Sequence, residues 1–146
     1  MASSPTNSIT DGLVGYWTLD GKDTPWTSAT AATTLDKSGN GNTGTLTNMA
    51  IGTSPIIGKI GQGLYFDGDN DYVDVGNPTA LQIAANLTIS AWVKPSSFPN
   101  TNDRAIVDKT NGNAGLKGYT LDTTYDNGSN QFLIYFKTAA GVDAGA

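Results

Sequence analysis

The sequence has no cysteine, no histidine and no glutamate; all thirteen of its acidic residues are aspartate. Without histidine or cysteine there is no Ser-His-Asp or Cys-His nucleophile system and no imidazole or thiolate site for zinc, copper or haem. No disulfide can close within the chain, so cysteine usage does not reveal a redox compartment. Charge is scarce as well: 14% of residues are charged, against about 25% in ordinary soluble domains. What charge there is leans acidic, with a net −5, which disfavours nucleic acid and anionic membranes and favours cations. No apolar run approaches the roughly 20 residues of a membrane span. The first eight residues, Met-Ala-Ser-Ser-Pro-Thr-Asn-Ser, lack the basic and apolar stretches of a signal peptide. The expectation is a cytoplasmic protein or a chain that starts after a removed export segment.

Glycine, threonine, serine and asparagine fill the space that charge leaves. Eighteen glycines in 146 residues exceed the usual ~7% and mark a turn-rich chain. The length is that of one domain and is enough for a core without staples. Residues 1–11 read as a polar leader. Strands are expected over 12–20, 45–47, 61–66, 72–75, 86–94, 104–107, 118–122 and 131–137. The strand at 86–94 alternates most clearly, with Leu87, Ile89, Ala91 and Val93 against Thr88, Ser90, Trp92 and Lys94. Asp67-Gly-Asp-Asn-Asp71 predicts a hairpin between the third and fourth of these strands. A long loop is expected from 21 to 34, and one helical turn between 78 and 85. Many short strands without a long helix predict an antiparallel β-sandwich or jelly roll.

Four segments in order carry a family likeness: Gly-Leu-Val-Gly-Tyr-Trp-Thr-Leu-Asp at 12–20, Asp-Lys-Ser-Gly-Asn-Gly-Asn at 36–42, Gly-Gln-Gly-Leu-Tyr-Phe-Asp-Gly at 61–68 followed by Asp-Tyr-Val-Asp at 71–74, and Leu-Thr-Ile-Ser-Ala-Trp-Val-Lys at 87–94. Together they resemble a laminin-G-like domain of the concanavalin A-like lectin/glucanase superfamily, spanning 12–146. The resemblance implies an all-β jelly-roll sandwich in an exported or cell-surface protein, acting as a carbohydrate-binding or adhesive module. It also implies a further Trp-containing strand after Lys137. The sequence instead runs Thr-Ala-Ala-Gly-Val-Asp-Ala-Gly-Ala to its end, so the closing strands of the family are expected to be missing. Three readings follow: the chain is a fragment, another chain or a swapped copy completes the sheets, or fewer strands suffice.

The superfamily's glucanases resemble one another in a strand motif of two glutamates around an aspartate, and this chain has no glutamate. No aspartate pair stands out as acid and base, so no catalytic residue is assigned and an enzyme is not expected. Calcium is the stronger chemical signal. Asp67, Asp69 and Asp71 alternate within one tight connection, and hard oxygen donors packed in a loop suit Ca²⁺. Asp20, at the end of the first strand, would approach from a neighbour. The alternative is that these residues build a solvated turn. The turn at 36–42 is read chiefly as backbone geometry, with Asp36 capping it through its side chain.

Sugar sites combine an aromatic face with polar donors. Trp17, Trp92, Phe66, Phe132 and Phe136 are assigned to the core. Trp26 in its polar loop and Tyr125, with Asn127 beside it, are the candidates for an exposed platform, weighed against a role as lids over the core edge. Two functions follow. One is a non-catalytic lectin-like module, calcium-assisted through the 67–71 loop. The other is a structural or adhesive domain that holds a surface protein. An exposed Trp26 beside a polar groove favours the first, and a flat surface with an unpaired sheet edge at the C-terminus favours the second.

Overall fold

A computed structural model describes residues 11–83, 86–98, 104–110, 118–126, 129–137 and 143–145. The polar leader, apart from Asp11, lies outside the described residues, as does Asn127. The chain forms two compact units, Met1–Leu81 and Gln82–Ala146. The expected class holds: among the described residues the regular structure is β, every strand pairing is antiparallel, and the helical content is two single 3-10 turns, Gly21–Asp23 and Thr79–Leu81. The second of these turns falls where one helical turn was expected.

The first unit holds β1 (Thr33–Thr34), β2 (Gly44–Thr47), β3 (Pro55–Ile57), β4 (Gln62–Leu64) and β5 (Tyr72–Asp74). They form a three-stranded sheet in the order β1-β2-β5 and a separate β3-β4 pair. Strand β2 sends Gly44 and Leu46 inward and Thr45 outward, the alternation a half-buried strand requires. A side chain at Gly44 would come within 2.5 Å of Val73 and 3.1 Å of Thr34, so the sheet closes only around a residue without a Cβ. Ala32, Leu46 and Met49 form the core, with Trp26, Leu64 and Val73 packed on it.

Three expectations change here. Residues 12–20 form no ladder; Trp17 makes only an isolated bridge with Asp36. That segment's backbone is bonded by side chains instead, and Leu19 is turned to φ +55°. The hairpin predicted across 67–71 does not pair its flanks: β4 pairs with β3, and β5 with β2. The actual hairpin turns at 58–61, where the Gly58 N–H donates to the Gly61 carbonyl at 3.0 Å and Gly61 takes φ +64°, a glycine conformation. Strand β3 went unpredicted because it opens with proline, which is tolerated at a strand's first residue.

The second unit holds β6 (Arg104–Asp108), β7 (Gly118–Asp126), β8 (Ser129–Lys137) and β9 (Asp143–Gly145), in that order across one sheet. The β7–β8 hairpin pairs nine residues on each side, from Gly118↔Lys137 to Asp126↔Ser129. A bulge between Ala105 and Val107 shifts the β6 register. Flanked on both sides, β7 buries Tyr119, Thr120, Asp122, Thr123 and Thr124. Two of its hydroxyls are bonded nearby: that of Thr120 donates to Asp122 at 3.0 Å and that of Thr123 to the Arg104 carbonyl at 3.4 Å. The clearest strand of the sequence, 86–94, joins no ladder. It keeps a period of two at its start, where Leu87 and Ile89 are half-buried between exposed Asn86, Thr88 and Ser90.

Candidate functional site

The turn at 36–42 is an internal clamp. Asp36 accepts hydrogen bonds from the backbone N–H groups of Tyr16, Ser38 and Asn42 at 3.0, 2.8 and 2.9 Å. Asn40 and Asn42 reach back through their side-chain amides to the carbonyls of Leu13 and Val14 at 3.0 and 2.8 Å. The Trp17 indole N–H donates to the Asn42 carbonyl at 2.7 Å. Side chains thus satisfy backbone groups that a strand ladder would otherwise have satisfied. Partial burial works against the charge on Asp36, but its donors outweigh that and hold the carboxyl below the usual aspartate range. The structural reading of this turn is the one its geometry supports.

Asp20 and the 67–71 loop serve separate turns. Asp20 caps the first 3-10 turn, accepting from the Lys22 N–H at 3.1 Å, and accepts from the Gln62 N–H at 3.1 Å. Those two bonds, the Gln62 bond first, lower its pKa. Buried Asp23 beside it accepts from the Thr18 hydroxyl at 2.8 Å and pairs with Lys37 at 3.3 Å; the Thr18 bond leads in lowering its pKa, against burial. In the 67–71 loop, the Asp67 N–H donates to Asp71 at 3.1 Å and the Asp69 N–H to Asp67 at 2.9 Å. Two of the three loop carboxylates are therefore engaged by the loop's own backbone. Among the described residues no three acidic side chains gather as a metal-ion cluster would.

The aromatic residues divide between the places assigned to them and others. Trp26 is half-buried against Ala32, Leu46 and Met49, on a loop closed by its bridge to Ala32. Tyr125, on β7, is exposed. Three residues assigned to the core lie open instead: Trp92 is 77% exposed, Phe132 53% and Phe66 40%. For Trp92 a signal was present, because it shares its parity with Thr88, Ser90 and Lys94, the outward side of the segment.

The open surface has a definite shape in the second unit. Ile89, Ser90, Ala91 and Val93 from the 86–94 segment, with Ile106, Leu121 and Phe132 from the sheet, line an open, mostly apolar depression of about 350 Å³. Phe98 holds the following stretch to the sheet by an edge-on contact with Phe132, ring centroids 5.6 Å apart. Val93 and Phe132 in that lining are exposed large apolar residues, as are Trp92 and Ile134 elsewhere in the same unit, and such exposure is a mark of an interaction surface.

A laminin G-like family model, described as the concanavalin A-like lectin/glucanases superfamily, matches residues 66–145. That range takes in β5 through β9 and the whole apolar surface just described. No curated protein and no solved structure matches the chain.

Proposed function

The chain belongs to the concanavalin A-like lectin/glucanases superfamily, and from that premise we propose that it is a non-catalytic binding domain of an exported or surface protein, holding a protein partner through the apolar surface of its second unit. The observation that carries this reading is Trp92, 77% exposed on a β-forming segment that has joined no ladder. Trp26, one of two aromatic candidates for a sugar platform, packs against the core, which supports a protein contact over a sugar platform at that loop. The lack of glutamate and histidine supports a binding role over glycoside hydrolysis.

Carbohydrate binding is the second reading, favoured by exposed Trp92 and Tyr125 as faces on which a pyranose ring could stack. Calcium assistance would draw on the carboxylate oxygens of Asp67, Asp69 and Asp71 that the turn bonds leave open. The deciding experiment screens the chain against immobilised matrix and surface proteins and against a glycan array, each with calcium and with chelator. Protein capture lost on Trp92→Ala supports the proposal. Glycan capture without protein capture replaces it with the lectin-like reading, and loss of that capture on chelation would bring calcium back.

A further inference from the structure

We propose that Asn40 is a site of spontaneous modification, converted to isoaspartate or aspartate with release of ammonia, and that the conversion opens the clamp at 36–42. The site belongs to the first unit, whereas the surface assigned to partner binding belongs to the second. Asparagine is a chemically labile residue, most of all before glycine, where no side chain shields the following amide nitrogen from the carboxamide. The sequence holds such pairs at 40–41, 111–112 and 127–128, and of these only the first lies within the described residues.

The nucleophile at this pair is spare. The Asn40 N–H donates to the Ser38 hydroxyl at 3.2 Å and the Asn42 N–H to Asp36 at 2.9 Å, but the Gly41 N–H between them makes no hydrogen bond among the described residues. Gly41 takes φ +77° with open space where a Cβ would stand, and both residues of the pair are exposed. Water and hydroxide therefore reach the reacting atoms. Base takes the Gly41 amide proton and the nitrogen attacks Asn40 Cγ. The new N–Cγ bond closes a five-membered succinimide, the Cγ–Nδ2 bond breaks and Nδ2 leaves as ammonia. Water then opens the ring, giving isoaspartate by attack at the main-chain carbonyl and aspartate by attack at the side-chain carbonyl.

The leaving group is also a structural one. Asn40 Nδ2 stands 3.0 Å from the Leu13 carbonyl, 3.4 Å from that of Val14 and 3.2 Å from the Ser38 hydroxyl. Either product puts a carboxylate where that donor was, facing two carbonyls. Isoaspartate also adds one carbon to the main chain between Asp36 and Asn42, the partners of the 2.9 Å bond. Of the two asparagine amides that hold the 13–14 stretch, that of Asn42 alone remains, 2.8 Å from the Val14 carbonyl.

The test ages the full chain in mildly alkaline heavy-oxygen water, beside Asn40→Gln, whose longer side chain keeps an amide but cyclises far more slowly. Peptide mass mapping should find solvent oxygen at position 40 of the wild type, mostly as isoaspartate, and none there in the variant. Aged wild type should melt about 3–6 °C below aged Asn40→Gln, with faster amide exchange at Tyr16 and Asn42, the N–H groups that Asp36 holds. Comparing the two aged proteins cancels any change at 111 and 127. Fresh Asn40→Asp should reproduce part of the loss in Tm. Folded wild type that gains label at 111 or 127 and none at 40 would overturn the proposal. So would label at 40 with melting and exchange equal to those of aged Asn40→Gln.

Discussion

The two units spend similar ingredients differently. In the first, the aspartates and asparagines are turned onto the chain's own backbone: Asp36 serves three N–H groups, Asp20 two, and Asn40 and Asn42 hold the carbonyls of the 13–14 stretch. Its core residues Met49 and Leu46 are 1% and 4% exposed, although Ile57 and Ile60 beside its β3–β4 turn lie open. Among the described residues of the second unit the buried ones are Thr110 and five residues of β7, three of them threonines, while Trp92, Phe132 and Ile134 lie open. Polar groups consumed inside and apolar groups left outside are the signature of a surface intended for contact. The abundant polar loops, which look like the place for a ligand, turn out to be the framework.

That contrast can be broken at either end. The largest effect belongs to the first unit's core: Met49→Ala should cost about 2–5 kcal/mol in urea unfolding, and a loss near zero would show that this core is not load-sharing. Next comes the clamp. Asp36→Ala leaves three backbone donors without their acceptor and should cost about 2 kcal/mol, with Asp36→Asn recovering part of it. The same carboxylate gives the contrast a pH dependence. Asp36, Asp20 and Asp23 are all held below 3.8 in the fold, so the unfolded chain takes up protons first on acidification. Their stabilisation is fully present above about pH 4–5 and is lost as pH falls through their depressed values. Asp36→Ala should flatten the melting curve's dependence on pH in that window; an unaltered slope would contradict the clamp.

The second unit should respond in the opposite way. Trp92→Ala removes the largest exposed apolar side chain and should change stability by no more than about 0.5 kcal/mol, while abolishing partner capture. A loss of several kcal/mol would return Trp92 to the core. The smallest expected effect is that of calcium: with Asp67 and Asp71 engaged in their loop, millimolar calcium should leave Tm unchanged. A rise abolished by Asp69→Ala would instead establish a site.

The sequence announced much of this architecture. The β7–β8 hairpin was legible because Asp126 to Asn130 is a dense turn cluster between strongly β-forming runs, and the structural role of Asp36 followed from its company of Gly and Asn. Partner choice was not legible. Alternation at 12–20 and at 86–94 predicts an extended conformation, yet whether a ladder forms depends on a neighbour that local pattern does not specify. In the first segment asparagine amides replaced the ladder. The Asp67 loop likewise made its turn bonds while β4 and β5 went to different partners. Aromatic burial failed for a related reason. Large aromatic residues were assigned to the core by size, whereas the parity of Trp92 already placed it on the side of Thr88, Ser90 and Lys94.

The central claim is that the open apolar surface of the second unit holds a protein partner, and capture of immobilised surface proteins by the wild type and by Trp92→Ala tests it most directly. The account predicts capture by the wild type and its loss in the variant with Tm unchanged. Capture that survives Trp92→Ala, or no capture by folded wild type, would contradict it.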